Sequence, residues 1–146
     1  MRVRAALLLA LLFVGLGLLL TRCPANRDGM PGQLAQAMEE TTAAARSGAL
    51  ALDMWVQRRS SAQLTSVQLT DARDEVIKAY KTIAQLRAED PVDIERQREL
   101  TVSMTMIIAE LNAASGTVRD VTTEPSPDEA RADLATSADA LQSEYR

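Results

Sequence analysis

The carboxylates of Asp71 and Glu75, and those of Glu95 and Glu99, stand four residues apart, the spacing that places two side chains on one face of a helix. Held together, such a pair shares a proton or ligates a hard cation. Spread along a wet helix, it pairs with neighbours, here Lys78, Arg73 or Arg98. The second arrangement is the expectation. Other chemistry finds little to work with. The chain has no histidine, which removes Ser–His and Cys–His nucleophiles and the commonest transition-metal ligand. There is no glycine-rich phosphate loop, and the single cysteine, Cys23, makes no CxxC pair. Met38, Met54, Met104 and Met106 offer thioethers for a soft metal, but Met104 is in phase with apolar neighbours and reads as core filler. No catalytic, cofactor or metal site is expected, and no enzyme. The most interesting surface group is Trp55 with Arg58 and Arg59 one turn on. Trp and Arg are enriched at contact hot spots, and they also stack on each other with no partner present. These three are the candidate partner contacts.

Residues 5–20, AALLLALLFVGLGLLL, form an uninterrupted apolar run. As a helix it spans about 24 Å, slightly less than the roughly 30 Å hydrocarbon core of a bilayer. Arg4 and Arg22 flank it and reach the two interfaces. Arg2, Arg4 and the amino terminus predict that the start of the chain stays in the cytoplasm, so that everything after residue 22 is exported. Residues 1–22 are therefore expected to be a signal anchor in a bacterial cytoplasmic membrane, single pass, with residues 23–32 as a tether. Two other fates remain open. Leu20, Thr21 and Cys23 resemble the pattern by which bacterial lipoproteins present a cysteine directly after the apolar run, which makes Cys23 the candidate lipidation site. Arg22 departs from that pattern, where a small residue is usual. Cys23-Pro24-Ala25 also places small residues at positions a signal peptidase reads.

The exported part, residues 33–146, has the composition of long helices. From Cys23 onward, 20 acidic against 13 basic residues leave it at −7. Such a balance speaks against nucleic acid, since phosphate binding needs clustered Lys and Arg. One heptad position stays in phase through Leu34, Thr41, Gly48, Trp55, Ala62, Leu69, Val76 and Ile83. This predicts a single long helix over 33–89, in preference to a turn near Arg58–Ser66. Ser60 and Gln63 carry capping-box spacing there, but no Gly, Pro, Asn or Asp marks a break. Asp90-Pro91 opens a helix over 92–120, with Ile94, Thr101, Met104, Ile108, Leu111, Ser115 and Val118 on one face. Ser126-Pro127-Asp128-Glu129 opens another over 127–145, presenting Ala130, Leu134, Ala138, Leu141 and Tyr145.

The fold class is all-α: an anchor helix, a long helix and two returning helices in an extended bundle or coiled coil. The returning helices cover only the distal half of the long one. Residues 33–60 are then a stalk whose stripe of Leu34, Met38, Ala45, Leu52 and Trp55 awaits a second copy or another chain. The expected function is that of a small, non-enzymatic, membrane-anchored helical protein acting through protein–protein contact. In layout, the chain is similar to the inner-membrane spanins of phage lysis cassettes, which join an N-terminal membrane helix to a periplasmic coiled coil. That resemblance implies a lysis accessory.

Overall fold

The computed structural model describes residues 29–144. The anchor, Cys23, most of the tether and Tyr145 lie outside them. Four helices follow in order: α1 Met30–Val56, α2 Ala62–Ala84, α3 Pro91–Val118 and α4 Pro127–Glu144. Each start is written locally. Gly29, at φ 91°, turns the chain into α1, and Pro31 sits in the first turn. Met30–Gly32, expected in the tether, already form that turn. Ser61 caps α2, its hydroxyl accepting from the Leu64 N–H at 3.2 Å, one residue later than the expected Ser60–Gln63 box. Asp90 caps α3 by accepting from the Val92 N–H at 2.8 Å. Ser126 and Glu129 form the expected reciprocal box at α4: the Ser126 N–H donates to Glu129 Oε2 at 2.9 Å, and the Glu129 N–H to Ser126 Oγ at 3.4 Å.

The single helix over 33–89 does not form. The chain turns over residues 57–61, so α1 and α2 are an antiparallel hairpin. The device is a Schellman closure. The Arg59 N–H reaches back to the Met54 carbonyl at 2.8 Å and the Arg58 N–H to the Trp55 carbonyl at 2.9 Å. Arg58 occupies the left-handed position, φ 58°, that usually belongs to glycine. The end of α3 repeats the arrangement: Val121 N–H to Gly116 O at 2.9 Å, Asp120 N–H to Thr117 O at 3.1 Å, and Asp120 at φ 55°.

Helices α1 and α3 each pack along both α2 and α4, and α1 also meets α3 across the middle. This is an up-down-up-down four-helix bundle. Gly48 makes the central crossing possible. A Cβ there would stand 2.6 Å from Leu111 Cδ2, 3.4 Å from Leu134 Cδ1 and 3.5 Å from Leu69 Cδ2, so one bare Cα faces a leucine from each of the other three helices. Around it lie Leu34, Thr41, Ala45 and Leu52 of α1; Leu69, Val76 and Ile83 of α2; Leu100, Met104, Ile107, Leu111 and Val118 of α3; and Ala130, Leu134, Ala138 and Leu141 of α4. The buried Thr41 hydroxyl is satisfied by the Ala37 carbonyl at 2.7 Å.

Two expectations change as a result. The stripe on residues 33–60 is not a bare stalk, because Leu34, Ala45 and Leu52 are buried inside the chain's own bundle, with Met38 and Trp55 half-buried against it. On α3, Met104, Leu111, Ser115 and Val118 point inward as expected, but Ile94 is exposed and Thr101 and Ile108 only half-buried. Leu100, Ile107 and Ala114 take the inner places instead. Apolar residues flank the Met104–Leu111–Val118 row on both sides, so periodicity does not choose between them. Packing between α2 and α4 does.

Candidate interaction surface

The four-helix arrangement puts the turns over residues 57–61 and 119–126 at one end, and Gly29 and residues 85–90 at the other. Trp55 belongs to the last turn of α1 and leans half-buried on the core. Arg58 and Arg59 follow it into the turn and are exposed. The expected trio is therefore close in sequence, but the indole packs on the core while the two guanidinium groups stand at the bundle tip.

The paired carboxylates separate into two kinds. Glu95 pairs with Arg98, whose hydrogen bond holds its carboxyl below the usual range, desolvation opposing and the guanidinium charge adding to the shift. Arg73 pairs with Asp74 rather than with Asp71 or Glu75. Asp71 and Glu75 have no ion pair among the described residues. Both stand instead on the wall of an open groove between α1 and α2. Of the methionines, Met104 is buried in the core while Met106 is exposed on α3. Among the described residues no cluster of His, Cys, Asp and Glu is arranged to hold a metal ion.

The groove runs along the hairpin seam as two adjoining cavities of about 560 and about 270 Å³ that meet at Glu75. Its floor is alanine: Ala37 and Ala51 from α1, Ala72 and Ala79 from α2, all buried. Small floor residues let the two helices approach and leave a shallow trough above them. Leu50, 60 % exposed, and Met54 stand on the α1 wall. Leu64, 52 % exposed, precedes Gln68 of the α2 wall by one turn. Sequence periodicity missed this surface, because two helices have to meet before it exists. The available signal was a second stripe on α1, Ala43, Ser47, Leu50 and Met54, running beside the core stripe.

The opposite seams are closed by polar links. Arg46 Nη2 lies 2.8 Å from both Asp139 Oδ1 and Gln142 Oε1, and Arg131 reaches Asp53 at 3.7 Å, tying α1 to α4. Ser137 donates to Glu110 Oε1 at 2.8 Å between α4 and α3, while Glu110 Oε2 is buried without a partner. Burial raises the Glu110 carboxyl above its ordinary range, the Ser137 hydrogen bond opposing and Asp133 adding to the shift.

No family model, curated protein or solved structure matches the chain. Among the described residues no helix is long and apolar enough to cross a membrane; the apolar run 5–20 lies outside them.

Proposed function

We propose that the chain is a non-enzymatic helical bundle, held at the bacterial cytoplasmic membrane by residues 5–20, that works outside the cytoplasm by binding another protein. The observation that carries this is the line of exposed apolar side chains, Leu50, Met54 and Leu64, beside an open seam, on a bundle whose other seams are bridged by polar pairs. Exposed apolar surface gathered in one strip marks interaction sites more often than isolated apolar residues do. The anchor is supported by the length of the apolar run and by Arg2 and Arg4 before it.

The test has two arms. For attachment, Cys23→Ser is expected to stay in the membrane fraction; its release would make the protein a lipoprotein tethered at Cys23. A reporter active only outside the cytoplasm, fused after Arg146, is expected to work, and activity of a cytoplasm-only reporter would overturn the orientation. For contact, a photo-crosslinking amino acid placed in turn at Leu50, Arg59 and Val102 should give a discrete adduct with another protein from at least one position. Failure at all three removes the binding function. A phage lysis accessory would instead be encoded beside an endolysin and a holin.

A further inference from the structure

Deepening that reading, we propose that the α1–α2 groove is the docking site for an amphipathic helix of the partner, one with small and apolar residues toward the groove and Lys or Arg along its flank. The dimensions fit a helix. From Gln33 to Met54 the α1 wall runs about 32 Å at 1.5 Å per residue, roughly six turns. The trough is open along its length and floored by alanines, so a third helix can seat side chains between the two already there, as helix-in-groove contacts do. A small ligand would find no enclosure in it.

Charge selects among occupants. The walls carry Glu40, Asp71 and Glu75 against Lys78 alone. A second copy of the chain, seated groove to groove about a two-fold axis, would set these acids against themselves, and like charges brought face to face count against such a contact. The chain's own apolar leader fits no better. Its cations, Arg2 and Arg4, lie at the end far from the tether. Folded back along α1, it would bring them toward Arg58 and Arg59, and its outer side would remain apolar in water. A partner helix with a basic flank satisfies both the alanine floor and the acidic walls.

The experiment uses the full chain in phosphatidylcholine nanodiscs, with empty nanodiscs as the blank. Two labelled 21-residue model helices serve as probes, each with Ala and Leu on one face, flanked by Lys in one peptide and by Glu in the other. The Lys-flanked helix should bind the chain beyond the blank. Reversing the walls with Asp71→Lys and Glu75→Lys, both exposed, should weaken that binding about tenfold, as expected for two rim charges. The same change should create binding of the Glu-flanked helix, which also shows that the variant is folded. Binding untouched by the charge reversal, or no binding above the blank, overturns the proposal. So does concentration-dependent dimerisation abolished by Leu50→Lys, which would make a second copy the occupant. A discrete crosslink from Arg59 or Val102 alone, with no charge-reversal effect, would leave the binding function standing and remove only this groove.

Discussion

Arg58 is held at φ 58° by two backbone hydrogen bonds that close α1, in a region where a Cβ presses on the following carbonyl at a cost of about 1 kcal/mol. Arg58→Gly should therefore raise stability by about 0.5–1 kcal/mol, read from urea unfolding, while Arg58→Ala should give no such gain. Two glutamates respond to pH with opposite signs. Hydrogen bonds with Ser126 hold the exposed Glu129 carboxyl low. Its contribution is present above the unfolded carboxylate value, about 4.3, and is lost as pH falls through its lower folded value. Glu110 is raised by burial, so its contribution is present below about 4.3 and is lost as pH rises through its higher folded value. Relative to wild type, Glu110→Gln should thus gain stability between acidic and neutral pH, and Glu129→Gln should lose it. Denaturation series at pH 3.5 and 7 would expose equal slopes, the result that contradicts this assignment.

At the scale of elements, the end of α2 depends on a side chain from α3. Gln97 Nε2 donates to the Ile83 carbonyl and, at 3.2 Å, to the Leu86 carbonyl. It thereby adds a side-chain donor to the Ile83 carbonyl, which already accepts from the Leu86 N–H at 3.1 Å, and gives the Leu86 carbonyl, just past the end of α2, a partner from α3. Gln97→Ala should cost about 1–2 kcal/mol, and Gln97→Glu more, because a carboxylate faces those oxygens with no proton to donate. Hydrogen exchange at residues 80–86 would localise the loss, and protection unchanged there would show that Gln97 is dispensable. Caps of this kind divide what was legible in the sequence from what was not. Asp90-Pro91 and Ser126-Glu129 are complete within four residues, so the starts of α3 and α4 could be read directly. The turn after Val56 could not, since its left-handed residue is an arginine and carries no glycine signature. The groove was illegible for a related reason, because its walls come from two helices that the sequence pattern joined into one.

At the scale of the whole molecule, closing the hairpin moves residues 33–56 from an exposed stalk into the core. Leu52 shows the difference most directly, being fully buried. Leu52→Asp should unfold the entire bundle, with a loss of more than about 3 kcal/mol, rather than weaken an association between copies. Circular dichroism separates these outcomes: retained helicity in the variant would restore the stalk. α1 carries the turn at Arg58–Arg59 about 40 Å away from the end where Gly29 enters, and the groove stands along the side of the rod.

Because the number of helices is even, the chain leaves the bundle at the end where it enters, with Gly29 and Glu144 at the same end. This decides how the molecule answers tension. A pull between those two points does not slide α1 along α4 against all of their contacts at once. It peels them apart from the shared end, meeting the link of Arg46 to Asp139 and Gln142 first and that of Asp53 to Arg131 only later. A bundle with this topology opens like a zipper when drawn apart at Gly29 and Glu144.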